Sequence, residues 1–98
     1  MKIVWSDEAL NDLHAIHDFI ARDSDLYAGR MVERLIGRVE EVAKMPTIGH
    51  AVHEFPKLGL REVHQDNYRL IYAFTTKELR VLTVIHMKQV LRRRRIQP

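Results

Sequence analysis

Between positions 9 and 20, Ala9, Leu10, Leu13, Ile16, His17 and Ile20 recur at intervals of three and four, opposite Asp12, Asp18 and Arg22. That period predicts an amphipathic helix with one buried stripe. Ser6 stands just ahead of it as an N-cap, and Asp7 and Glu8 suit the positive end of the helix dipole. The β-branched run "KIVW" before Ser6 predicts a strand leading directly into this helix. A second stripe follows from Leu26 to about Lys44, made of Ala28, Met31, Val32, Leu35, Val39, Val42 and Ala43, and Pro46 marks its end. The polar cluster "RDSD" breaks the first helix and caps the second, so the two form an αα-hairpin.

Beyond Pro46 the period changes. Residues 46–59, "PTIGHAVHEFPKLG", hold two of the three prolines and two of the four glycines and read as a long loop, a length often associated with function. Three β-rich runs come next: "LREVH" from Leu60, "YRLIYAF" from Tyr68 and "LRVLTVIH" from Leu79. Asp66-Asn67 suits a tight turn between the first two, and "TTKE" separates the second from the third, so they predict an antiparallel meander. The order of elements is α+β: an N-terminal strand, a helical hairpin, then a three-stranded antiparallel meander, in one domain spanning residues 1–98 with the helices on one sheet face. No repeat, low-complexity tract or linker divides the chain.

Alternation within "YRLIYAF" places Tyr68, Leu70, Tyr72 and Phe74 on the helix-packed side and Arg69 on the other. In the last strand the same rule groups Arg80, Leu82, Val84 and His86 against Leu79, Val81, Thr83 and Ile85. A guanidinium in apolar surroundings costs several kcal/mol, so Arg69 must meet water, a phosphate or a carboxylate. Pairing with Glu62 or Glu78 across the sheet is the ordinary solution. A basic platform of Arg61, Arg69 and His86 on an exposed face is the functional one.

The charge distribution sharpens that choice. The formal net charge of +3 divides into −3 over residues 1–58, with 7 Lys or Arg against 10 Asp or Glu, and +6 over residues 59–98, with 9 against 3. A basic C-terminal half suits a polyanionic partner, either nucleic acid or an acidic protein segment. Much of the excess lies in the tail, about residues 89–98, where Arg92, Arg93, Arg94 and Arg95 are consecutive. With no cysteine, no signal-like apolar run at the N-terminus and no stretch near the roughly 20 apolar residues of a membrane span, the expected compartment is the cytoplasm and no membrane association is expected.

Other chemistries find less support. His14 and His17 stand three apart, as do His50 and His53, but no acidic or cysteine partner completes either pair at a recognised interval, so neither metal nor cofactor is expected. Ser6 and Ser24, the only serines, fall at helix caps and offer no nucleophile. A plain nucleic-acid-binding domain would use Tyr68, Tyr72 and Phe74 as stacking platforms, yet these belong to the core side.

Four stretches in order, "VWSDEALNDLHAIHDFIA", "KMPTIGH", "YRLIYAF" and "VLTVIHMKQ", resemble the RelE/ParE superfamily of bacterial type II toxin-antitoxin toxins across nearly the whole chain. The resemblance implies the α+β fold already read from periodicity, and neutralisation by a cognate antitoxin in a complex. It also implies one of two targets. ParE-like members inhibit DNA gyrase and block replication, causing growth arrest and, on plasmids, stabilisation. RelE-like members enter the ribosome and cleave mRNA. For cleavage, Arg69 would clamp phosphate, His86 would exchange a proton and Glu54 would be the base. Two departures weaken that site: Met87 follows His86 where some nucleases have tyrosine, and the lysine cluster of RelE-like nucleases is missing. "VIHMKQ" resembles the ending common in ParE-like chains, with Lys88 in the basic position. Gyrase inhibition is therefore the favoured expectation, ribosome-dependent cleavage the alternative, and Arg61, Arg69, His86, Lys88 and Arg92 to Arg95 the candidate target-binding residues.

Overall fold

In the computed structural model, which describes residues 1–97, the first strand β1 (Lys2–Trp5) runs into α1 (Asp7–Ala21) and then α2 (Asp25–Lys44). Both helices start as their sequences predict. Ser6 Oγ accepts the Ala9 N–H at 3.0 Å, and Ser24 Oγ accepts the Tyr27 N–H at 3.1 Å. The stripe residues Ala9, Leu13 and Ile16 of α1 and Ala28, Met31, Leu35, Val39 and Val42 of α2 are buried. Leu10, expected in the same stripe, is exposed.

After α2 the chain makes a 3₁₀ turn (Pro46–Ile48) and a two-residue strand, β2 (His50–Ala51), inside the stretch expected to be loop. It then forms the meander β3 (Arg61–Gln65), β4 (Tyr68–Phe74) and β5 (Glu78–His86). Asp66 takes the left-handed conformation, φ 55°, that the Asp66-Asn67 turn requires. The sheet order is β1-β5-β4-β3-β2, so β2 extends one edge. At the other edge β1 lies parallel to β5, so the expected antiparallel meander is extended into a mixed sheet.

Gly49 fixes the approach to β2. Its N–H donates to the Tyr72 hydroxyl at 3.1 Å, and that hydroxyl donates to the Pro46 carbonyl at 2.6 Å. A Cβ at position 49 would overlap the Tyr72 hydroxyl and stand 2.8 Å from the Glu62 carbonyl, so only glycine fits.

Strict alternation fails in β5. The register pairs Ile71 with Thr83 but Tyr72 with Val81, leaving Leu82 as an extra residue. The bulge sends Leu79, Val81 and Val84 to the helix-side core and Leu82 and Ile85 to the other face, regrouping residues that alternation had sorted differently. It also frees backbone groups just where β1 ends at Trp5. Ser6 Oγ donates to the Leu82 carbonyl at 2.7 Å, and the Asp12 carboxylate accepts the Val84 N–H at 2.9 Å and the Thr83 hydroxyl at 2.5 Å.

The face of the sheet opposite the helices is also covered over much of its area. Opposite the helices lies a second apolar cluster of Val52, Leu60, Ile71, Leu82, Ile85, Leu91 and Ile96, with Phe55 packed against it. Segment 52–60 and the C-terminal tail supply four of those seven side chains, and burying each contributes about 1.5–3 kcal/mol. The tail that carries the candidate target-binding arginines is thus part of the fold. Its Arg95 reaches back to α1, donating to Glu8 and Asp12 at 3.0 Å each.

Candidate functional site

Arg69 leaves the sheet on the side opposite the helices, as alternation requires, but is largely buried by segment 52–60 and the tail, with its side chain only 6% exposed. All five of its N–H groups are engaged. Nε donates to Glu62 Oε2 at 2.8 Å. Nη1 donates to Glu54 Oε2 at 2.9 Å and to the Gln89 carbonyl at 3.2 Å, and Nη2 to Glu54 Oε1 and Glu62 Oε1 at 2.7 Å each. Of the two pairings open in the sequence, Glu62 is the partner, whereas Glu78 turns to Arg80. Glu54, a candidate base, is the second partner. The expected role of Arg69 as an exposed phosphate clamp is overturned, because it has no donor left to offer.

The carboxylates answer in kind. Hydrogen bonding from Arg69, opposed by burial and assisted by the Leu91 N–H, lowers Glu54 to about 2. Burial alone would raise Glu62, but hydrogen bonds from Arg69 and His64 outweigh it and leave that carboxyl below its ordinary value. A carboxylate as acidic as Glu54 is a poor general base near neutral pH. Because its folded value lies below its unfolded one, its stabilising contribution is complete above about pH 4.5 and is lost as pH falls towards about 2. Urea denaturation between pH 6 and pH 2.5 is expected to show this loss of stability, and a Glu54→Gln chain, weaker at pH 6, is expected to show a shallower decline.

The remaining candidates scatter. His86 pairs with Tyr68 across β4 and β5, its ring edge-on to the tyrosine at 5.8 Å, and Tyr68 packs on the helix-side core, so His86 lies on the opposite side from Arg69. Its Nδ1 accepts the Lys88 N–H at 3.1 Å. Arg61 donates to the Gly49 and Thr47 carbonyls at 2.7 and 3.4 Å and braces the turn before β2. No platform of Arg61, Arg69 and His86 exists, since the three are divided between two faces. Lys88, Arg92, Arg93 and Arg94 are exposed, whereas Arg95 is held against α1.

The structure assembles instead a group that the sequence reading passed over. His64 stands opposite Arg69 in the β3–β4 register and its Nε2 lies 2.8 Å from Glu62 Oε2. His50, His53, Glu62, His64, Arg69 and Met87 line one open cleft of about 300 Å³. The signal was present: a two-residue turn at 66–67 pairs position 64 with 69 and keeps Glu62 on the same face. A second cleft, of about 370 Å³, lies between the helices and is lined by Leu10, Leu13, His14, His17 and Val32.

Comparison with known proteins agrees with this architecture. Among solved structures, the chromosomal ParDE toxin-antitoxin system of P. aeruginosa superposes with a TM-score of 0.72 at 19% identity, covering 88% of this chain and 95% of that one. The toxin-antitoxin complex RelBE2 of Mycobacterium tuberculosis gives 0.57, also at 19% identity, covering 87% and 95%. At such identity these likenesses speak for the fold. A search of curated protein sequences returns no match. The model of the ParE toxin of the type II toxin-antitoxin system parDE matches residues 3–91, nearly the whole chain, and the protein therefore belongs to the ParE toxin family.

Proposed function

We propose that this toxin acts by binding and inhibiting DNA gyrase, and that it does so without hydrolytic chemistry of its own. The observation that carries the reading is the saturation of Arg69. Cleavage of RNA needs a cation facing the scissile phosphate and a base of suitable pKa. Here the only strand arginine of the right position is consumed by Glu54, Glu62 and Gln89, Glu54 is held at about 2, and His86 lies across the sheet from both. What remains for a large partner is surface, and the exposed cations Lys88, Arg92, Arg93 and Arg94 give it a local positive charge.

An antitoxin partner is part of the same proposal, supported by the toxin-antitoxin systems of both structural neighbours. The apolar cleft between α1 and α2, beside exposed Leu10, is the surface best suited to receive an apolar segment of such a partner.

Purified protein is expected to stop gyrase from supercoiling relaxed plasmid or to stabilise its cleaved complex, and to leave transcripts intact in a translating extract. Replacing Arg92, Arg93 and Arg94 together by glutamine is expected to weaken inhibition while the chain stays folded. Undiminished gyrase activity at saturating toxin would refute the proposal, and cut transcripts in the extract would favour ribosome-dependent cleavage.

A further inference from the structure

Beside the arginine run the tail forms a third cleft, of about 320 Å³, lined by Leu58, Leu60, Arg93, Ile96 and Gln97. Its apolar wall is aliphatic. Leu60 and Ile96 belong to the buried cluster on the sheet's second face, whereas Leu58 is 44% exposed. A space at the low end of the roughly 300–1,000 Å³ of small-ligand sites takes one or two side chains of a partner and little more.

The cations around this cleft are uncompensated. Arg92, Arg93 and Arg94 are exposed, as is Lys57 next to Leu58 in the chain, and no acidic side chain follows Glu78. The carboxylates that reach the tail are already engaged, Glu54 by Arg69 and the Leu91 N–H, Glu8 and Asp12 by Arg95. Among the described residues, none of the four cations forms an ion pair.

The run is also ordered. Leu91 and Ile96 anchor it in the apolar cluster on both sides, and the Arg95 and Ile96 N–H groups donate to the Arg92 and Arg93 carbonyls at 3.0 and 3.1 Å in a 3₁₀ turn. The Arg95 guanidinium ties that turn to α1. The backbone beneath the exposed guanidiniums is therefore set before a partner arrives, and less freedom is lost on binding.

We infer that this cleft and its arginines dock an acidic protein segment carrying a bulky aliphatic side chain. The aliphatic group fills the space beside Leu58, Leu60 and Ile96, and flanking Asp or Glu carboxylates pair with Arg92, Arg93 and Arg94. The inference deepens the reading above, on which the segment belongs to the toxin's target. Two features favour protein over nucleic acid. Phosphates would use the arginines and leave the apolar wall wet, and no aromatic ring lines the cleft to stack a base. An apolar anchor ringed by charge is the anatomy of a protein contact, in which the buried group supplies affinity and the rim steers approach.

Fluorescence anisotropy of a short labelled peptide of Asp, Glu and Gly with a central leucine, titrated with the full chain, tests the site without gyrase. Saturable binding with a dissociation constant below about 100 μM is expected. Alanine in place of the peptide's leucine, or Leu58→Ala in the protein, is expected to weaken binding about fivefold or more. Glutamine at positions 92, 93 and 94 together is expected to weaken it about tenfold or more, with an unchanged circular dichroism spectrum. Arg30→Gln, which removes an exposed cation from α2, is expected to bind as the parent does. Absence of saturable binding, equal affinity for the alanine peptide, undiminished binding by Leu58→Ala or by the glutamine variant, an equal loss in Arg30→Gln, or tighter binding of a DNA duplex than of the peptide in the same buffer would each overturn the inference. Peptide binding by a chain that leaves supercoiling untouched would keep the docking site and remove gyrase as the partner.

Discussion

Replacing Arg69 with methionine is expected to lower the free energy of unfolding by about 3–5 kcal/mol, the cost of leaving buried charge without its partner. Two carboxylates would face each other across the vacated position with His53, His64 and the Leu91 N–H near them but no guanidinium between them. A single domain of this size has about 5–15 kcal/mol in total, so the variant should populate the unfolded state measurably at 37 °C. Arg69→Lys is expected to recover only part of the loss, because an ammonium cannot bond both carboxylates and the Gln89 carbonyl with the planar fork that the guanidinium uses. A triple variant, Arg69→Met with Glu54→Gln and Glu62→Gln, should be more stable than Arg69→Met alone, since the charges that made the deletion costly go with it. Urea denaturation of the four proteins at pH 7 measures each step. A stable Arg69→Met chain, within about 0.5 kcal/mol of the parent, would show that Arg69 is an accessible surface residue.

That result bears directly on function. An arginine that holds the fold together abolishes toxicity when mutated whether or not it meets a target, so inactivity of a position-69 variant is uninformative until its stability is known. The same strand position in a cleaving enzyme would give the reverse pattern, with folding retained and catalysis lost.

Much of this arrangement is legible along the chain, for reasons that differ between elements. The two helices follow from local period and caps, since Ser6 and Ser24 act on residues three positions away. The β3–β4 register follows from the two-residue turn at Asp66-Asn67, and with it the pairing of Arg69 beside His64 and near Glu62. The face of Arg69 was equally readable, but its cover was not. Val52, Leu60, Leu91 and Ile96 come from a loop and a tail whose apolar residues lack a helical or strand period, and their convergence depends on long-range contacts. The bulge at Leu82 defeats alternation for a similar reason: what stabilises it is Ser6 and Asp12, more than seventy residues earlier. A strand of two residues such as β2 is too short to show any period.

Truncation after Val90 is the change expected to disturb the sheet's second face most. It removes Leu91 and Ile96 from the apolar cluster, the Leu91 N–H from Glu54, and the Arg95 ties to Glu8 and Asp12. Leu91→Ala alone should cost about 2–5 kcal/mol, as for other buried leucines, and the truncated chain should lose at least that much. Glutamine at positions 92, 93 and 94 together, by contrast, alters only exposed residues and should change stability by no more than about 0.5 kcal/mol. Thermal melts of the three proteins separate packing from charge. If the truncated chain melts like the parent, the tail is a detachable extension and the second cluster is not a core. If it melts well below, as the burial of Leu91 and Ile96 requires, then a loss of toxicity on truncation reports a collapsed sheet face, and the glutamine variant alone reports contact between the arginine run and a target.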